Sequence, residues 1–427
     1  MKRKLFAAYE GLPRTVWFLF AARLVTSMGS FIVPLLTLIL TQKLGMSAAQ
    51  AGGWMSALVL TQAPCLMLGG KLTDAVGRRP VLVFGYFAGA ACFLLCAFHA
   101  GNGWVVPCIV LAANFGTLGY PSGDALLADQ VGPAQRRAAY SLLYFGTNIG
   151  MTFSMILGGL LFAEHLRLLF VLDAATTILC GCIVLAFVPD RYRPARKGAA
   201  PAAPKAGGQP SAAGETAPAS ENSAPLPDAA APTLGAVLRA VPVVAGAVGL
   251  LFFYDFCYAQ WNFLLPAQMG ALDGAAGARR FSLLGAINCV TVILLTPALT
   301  KYTHRIPPLP ALALGAALYG AAFLGFAAGG GMPLFVVYGV LFTLGEVVTT
   351  IQWGAFLADR TPAACRGRMT AFSSFVRGAG TGCAPAAMGF ALTALGYRGG
   401  WLVTAALVLC AGAGMLLLSR RDRGPVA

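Results

Sequence analysis

Long apolar runs separated by short polar stretches set the rhythm of the chain. Apolar segments recur at about 14–41, 47–70, 81–99, 104–128, 139–163 and 168–188. A second series follows at about 241–266, 282–300, 309–328, 333–357, 370–394 and 400–418. Each run is near the roughly 20 residues that a helix needs to cross the hydrocarbon core of a bilayer. The pattern predicts an all-α integral membrane protein with twelve transmembrane helices. The first run, after Met1 to Lys4, is too long for a signal peptide and lacks a small-residue cleavage site, so it is expected to stay as the first span.

One stretch breaks the rhythm. Residues 190–235 are rich in Ala and Pro, and between Pro194 and Thr233 the one large apolar residue is Leu226. Such a composition cannot bury enough surface to offset the entropy of ordering, so a disordered linker is expected there. It divides the chain into an N-terminal six-helix bundle at 1–189 and a C-terminal one at 236–427. Six spans on either side of a linker imply two similar halves with a cavity between them. Glycine and proline are frequent inside the spans, at Gly150, Gly158, Gly159, Gly378, Gly380, Gly382 and Pro385. Small residues there serve either close helix packing or a hinge.

Composition sharpens the membrane reading. Hydrophobic residues make up 58% of 427 positions and charged ones 11%, against about a quarter charged in a soluble domain. The formal net charge of +15 would point to nucleic acid if the basic residues shared one soluble face. They lie between apolar runs instead. Arg23 and Arg377 fall within spans, and Lys43, Arg167, Arg279, Arg280 and Arg398 fall on one side. Every other Lys and Arg falls on the opposite side, which the positive-inside rule makes the cytoplasm. Both termini are therefore expected in the cytoplasm of a multi-pass cell-membrane protein, with no nucleic-acid partner. The 11 cysteines are mostly scattered through apolar helices with no metal-type cluster, so they read as small buried thiols, with no cofactor and no metal.

The stretch Gly70-Lys71-Leu72-Thr73-Asp74-Ala75-Val76-Gly77-Arg78-Arg79 is placed between spans two and three. On the residues alone, the glycines serve a short turn, and Asp74 accepts hydrogen bonds or caps a helix N-terminus. The arginines either pair with carboxylates across a domain interface or serve only the positive-inside bias. The stretch resembles the loop signature of the major facilitator superfamily. Gly70, Asp74, Gly77, Arg78 and Arg79 fit, while Ala75 stands where a basic residue is common. The resemblance implies the major facilitator fold of two six-helix bundles and a conformational latch in which Asp129 partners Arg78. A second stretch, Gly150 to Gly159, is similar to the fifth-helix signature of the proton-coupled exporters of that family. Gly150, Gly158 and Gly159 match, and Ser154-Met155 stands where the signature has Gly-Pro. Tyr258-Ala259-Gln260 and Gly345-Glu346 also resemble drug-exporter-like members.

Five ionisable residues fall within predicted spans: Arg23, Asp124, Asp255, Glu346 and Arg377. A charge at a span centre costs about 2.5–3.5 kcal/mol on insertion scales, so each needs a partner or a function. The first four lie on spans one, four, seven and ten, which the resemblance assigns to the lining of a central cavity. Asp255 and Glu346 sit near mid-span among Tyr254, Tyr258, Trp261, Asn262, Gln352 and Trp353. A carboxyl removed from water there can exchange a proton near neutral pH. Asp255, Glu346, Arg23, Trp261 and Gln352 are thus candidates for proton coupling or the substrate cavity. A buried structural pair with Arg377 is the alternative for Asp255 and Glu346. Asp124, close to the end of its span, is expected to pair with loop arginines.

These readings converge on a secondary transporter that moves a small molecule by alternating access, as a monomer in the lipid bilayer, with protons as the coupling ion. The resemblance favours efflux of drug-like or amphipathic compounds, and uptake or export of a specific metabolite or sugar is the alternative. An enzyme is not expected: His99, His165 and His304 all lie at span ends, and no nucleophile or metalloprotease motif falls inside a span. No Gly-x-x-x-x-Gly-Lys-Ser/Thr motif is present for a nucleotide-driven pump.

Overall fold

The computed structural model describes residues 9–100, 102–190, 235, 242–361 and 365–422. The expected linker lies outside the described residues except for Asp190 and Gly235, as do the basic residues Lys2, Arg3 and Lys4. Within the described residues the secondary structure is helical and contains no strand. A helix satisfies its own backbone hydrogen bonds, which is what a span inside hydrocarbon requires.

The spans are α1 (Arg14–Met28), α2 (Ala48–Val76), α3 (Arg78–Phe98), α4 (Val105–Gln130), α5 (Pro133–Leu161) and α6 (Leu166–Phe187). They continue as α7 (Pro242–Asp273), α8 (Ala275–Thr303), α9 (Pro308–Ala328) and α10 (Met332–Arg360). The last helical stretch, Arg366–Ser419, is two helices that meet at Gly396, whose φ of 61° and ψ of 178° are not helical. They are α11 (366–395) and α12 (397–419), and the positive φ makes glycine the fitting residue at their junction. By length and composition, 9 of the described helical stretches could cross a membrane. Separating α11 from α12 and adding α1 and α5 gives the expected twelve.

Helices run past the apolar runs at several ends. The supposed loop after span two is a single residue, Gly77, with φ 116° and ψ 164°, because α2 continues to Val76 and α3 starts at Arg78. Gly70 and Asp74 therefore lie on the last turns of α2, not in a loop. A capping box starts α2: the Ser47 hydroxyl accepts from the Gln50 amide at 3.3 Å, and the Gln50 side chain accepts from the Ser47 amide at 3.0 Å.

By packing, the described chain falls into two units. The first comprises the described residues within 1–207 together with 265–293, and the second those within 208–264 together with 294–427. Residues 265–293 thus pack with the first unit although they follow the linker in sequence. In the first unit α3 packs on α4 and α6, α2 on α4, and α1 on α5 and α6. In the second, α9 packs on α10 and on the α11–α12 pair, which also covers α7.

The fifth-helix glycines set how closely α5 approaches α1. A Cβ at Gly150 would stand 2.5 Å from Ser27 Cβ and 2.7 Å from Leu24 O, and one at Gly158 would stand 3.1 Å from Leu35 Cδ1. A Cβ at Gly159 would stand 2.5 Å from Ser282 Cβ on α8, within the first unit. Gly150→Val is expected to cost about 1–3 kcal/mol by overpacking, read as a lower unfolding temperature in detergent. Gly70→Ala adds a Cβ with nothing within 4 Å and is expected not to lower that temperature.

Candidate functional site

The second unit collects the buried charges of α7, α10 and α11. Asp255 on α7 and Glu346 on α10 are 8% and 6% exposed. Arg377 on α11 grips Asp255 with two hydrogen bonds, Nε to Oδ2 at 2.8 Å and Nη2 to Oδ1 at 3.2 Å. The guanidinium fork matches the carboxylate in the bidentate manner that only arginine offers. Of the two arrangements open in the sequence, the structure joins Arg377 to Asp255.

Glu346 has a different environment. The Tyr258 hydroxyl donates to its Oε1 at 2.9 Å. Tyr258 lies one turn beyond Asp255 on α7, so the same face of that helix serves both carboxyl groups. Aromatic rings enclose the region. Phe342 stacks on Tyr258 with centroids 5.6 Å apart and on Trp261 at 4.4 Å, and Tyr319 from α9 sits 5.1 Å from Phe342. Trp261 is buried in a 3-10 turn, Ala259–Trp261, that interrupts α7. Gln352 is buried on α10, more than a turn beyond Glu346. Next to Trp261, the Gln260 side chain donates to Phe256 O at 3.3 Å and Ala384 O at 3.4 Å, tying the interruption of α7 to α11.

In the first unit Arg23 on α1 lies over the Tyr120 ring of α4, 5.4 Å from its centroid. Its Nε is buried and has no hydrogen-bond partner among the described residues. Asp124 stands one turn beyond Tyr120. The expectation that it pairs with loop arginines is corrected: among the described residues the cation within its electrostatic reach is Arg23. The reason is helical register, since Tyr120 and Asp124 share a face of α4 that α1 approaches.

The turn at Gly77 is tied on three sides within the first unit. Arg78 forms an ion pair with Asp129, and its Nη1 also donates to Ala125 O at 3.1 Å. Arg79 Nη1 donates to Leu185 O and Val188 O, each at 3.4 Å, at the C-terminus of α6, where a cation meets the negative end of the helix dipole. The carboxylate that caps the start of α3 is Asp190, whose Oδ2 accepts from the Arg79 amide at 3.0 Å. Asp74, which the sequence offered for that cap, is instead exposed on the last turn of α2. Asp190 escaped notice because its neighbours have the composition of a linker. In the second unit another fork joins the ends of α10 and α12: Arg360 Nε and Nη2 bind the Asp422 carboxylate at 2.9 and 2.7 Å.

Sequence reasoning also missed Asp173 on α6. It is 5% exposed and lies amid the apolar run 168–188, where a single acidic letter near the start of a span was the available signal.

Because removal of one member of a buried pair strands the other, Asp255→Asn is expected to destabilise the protein by about 3 kcal/mol. Asp255→Asn combined with Arg377→Gln is expected to recover most of that loss. Thermal unfolding of the single and double variants in detergent checks both outcomes.

Comparison with known proteins agrees with this architecture. The family model described as Major Facilitator Superfamily matches residues 18–276 and 271–427. The Multidrug resistance protein MdtH of Cronobacter sakazakii is 30% identical over 177 residues, 41% of this chain and 44% of that protein. The chain thus spans less than half the length of that relative. An uncharacterized MFS-type transporter, YqjV of Bacillus subtilis, is 26% identical over 336 residues, 76% of this chain and 73% of its own. Among solved structures, an auto-inhibited POT family peptide transporter superposes with a TM-score of 0.73 at 16% identity, covering 96% of this chain and 98% of that one. The nucleoside transporter NupG does so with a TM-score of 0.69 at 13% identity, covering 96% and 100%. The two-part match along the chain and the twelve-helix architecture place the protein in the major facilitator superfamily of membrane transporters.

Proposed function

We propose that the protein exports drug-like or amphipathic compounds in exchange for protons, with Glu346 as the group that carries the proton. The observation that carries this reading is the contrast between the two buried carboxyl groups of the second unit. Asp255 is held at both oxygens by Arg377 and serves as its counter-charge. Glu346 receives the Tyr258 hydroxyl, a group that can donate to a carboxylate and accept from a carboxylic acid. A proton can therefore come and go at Glu346 while its hydrogen bond to Tyr258 survives in either direction. The packed aromatic cluster of Phe342, Trp261 and Tyr319 makes the surroundings of this group largely apolar, which supports a substrate of similar character.

Arg23, with its buried Nε and its position over Tyr120, is the contact for a polar or anionic part of the substrate, and Gln352 is a further cavity residue. The ties of Arg78, Arg79 and Asp129 around Gly77 form the latch, with Asp74 and Gly70 on the adjoining turns. Basic residues on one side of the spans orient both termini to the cytoplasm of the cell membrane. The protein acts as a monomer. The partial likeness to a multidrug resistance protein supports the substrate class.

Reconstitution into liposomes with imposed pH gradients of both signs tests the proposal, with ethidium as the probe. Exchange against protons is expected in the wild type. Glu346→Gln is expected to lose gradient-driven transport while ethidium still equilibrates down its own gradient. Wild-type rates in Glu346→Gln would remove this residue from coupling. Transport driven in the same direction as protons would turn the reading toward uptake of a metabolite.

A further inference from the structure

Between α1 and its continuation the chain is not helical. α1 ends at Met28, and helix resumes only with Leu36–Leu38 and the π-helical turn Ile39–Lys43. Pro34 accounts for the break. It has no amide to give to the carbonyl four residues back, Ser30 O, and its ring crowds that carbonyl. Two backbone groups are thereby orphaned in the interior of the unit, where Phe31, Ile32 and Leu35 are 3%, 0% and 1% exposed. Each has a side-chain replacement from a different helix. Ser154 Oγ on α5 donates to Ser30 O at 2.6 Å, and Asp173 Oδ2 on α6 accepts from the Ile32 amide at 3.4 Å. The Phe31 amide donates to Gly29 O at 2.9 Å and lies near the Asp173 carboxyl group.

Asp173 is an unusual group for that task. No lysine, arginine or histidine pairs with it among the described residues. α1 offers it backbone amides, α3 brings the buried Cys96 thiol within its field, and α5 adds no charged group within its reach. A serine or asparagine would offer a single acceptor oxygen, whereas a carboxyl group offers two. An ionisable side chain buried in a span is rare and marks function by default, and broken helices are where transporters place their moving and binding parts.

We propose that Asp173 is a positioning residue for transport: together with Ser154 it holds α1 broken between Gly29 and Leu35, and loss of its acceptor oxygens frees that segment. The proposal adds to the reading of Glu346, from which it is independent in structure, since Asp173 and the break lie in the first unit. Gly150 packs against the end of α1 and Gly158 against Phe31 and Leu35 within the break, so movement of the segment would be felt directly by α5.

Hydrogen–deuterium exchange on the full-length protein in lipid nanodiscs tests this without requiring a known substrate. Asp173→Asn keeps one acceptor oxygen but puts an NH2 donor in place of the other, beside backbone amides that are themselves donors. Exchange of the Ile32 amide, and to a smaller extent of the neighbouring Phe31 amide, is expected to rise, about five- to tenfold at Ile32. Asp124→Asn, in the same unit but away from the break, is expected to leave those amides at the wild-type rate. Ser154→Ala removes only the hydroxyl on Ser30 O and is expected to raise exchange in the same segment by a smaller factor, which provides a second reading if Asp173→Asn does not yield folded protein. Unchanged exchange in both variants would overturn the proposal. In liposomes, Asp173→Asn is expected to lower ethidium turnover several-fold while KM stays near the wild-type value. A raised KM with turnover kept would make Asp173 part of the binding surface and overturn the positioning role. Absence of ethidium transport in the wild type would count against the proposed export function alone, because the exchange measurement stands without it.

Discussion

A polar group taken into hydrocarbon must find its partner inside the protein, and the rest of this structure depends on that constraint. Asp255 and Arg377 satisfy it with a bidentate fork. Pro34 creates a demand at Ser30 O that Ser154 meets, and the freed Ile32 amide is met by Asp173. At the end of the spans, Arg79 covers the last carbonyls of α6 and Asp190 caps the first turn of α3. Each case joins helices that are distant in sequence, so satisfying the backbone and the charges also fixes which helices touch.

The same constraint separates the two carboxyl groups of the second unit. Arg377 and Asp255 neutralise each other, and disturbing either leaves a charge without its partner. Glu346 is bonded to a tyrosine hydroxyl that serves both protonation states. One carboxylate is thereby suited to holding α7 against α11, and the other to changing its charge during a cycle. Aromatic packing through Phe342 links Tyr258 with Trp261 and Tyr319, so Glu346 adjoins a packed cluster that joins α7, α9 and α10.

The spans were readable because lipid selects long apolar runs, and their number followed from counting those runs. Their ends were less readable. α2 continues through Lys71 and Asp74 to Val76 because charged residues at the membrane edge tolerate a helix as well as a loop. The break in α1 was written in Pro34, but an unbroken apolar run from 14 to 41 concealed it. Among the site residues, Arg78 and Asp129 could be paired from a resemblance, and Arg377 was singled out with its partner left open. Asp173 and Asp190 were not, since each acts on backbone amides brought to it by the fold, and no spacing in the chain announces such a contact. Residues 265–293 fall with the first unit, a grouping that order along the chain does not convey.

Proton exchange at Glu346 is the claim on which the functional account turns. Its most direct test is the proton balance on adding ethidium to purified protein in weakly buffered detergent solution, followed with a pH indicator. The account predicts that the wild type releases protons on binding and that Glu346→Gln binds ethidium with no release. Equal release from the two proteins would contradict it.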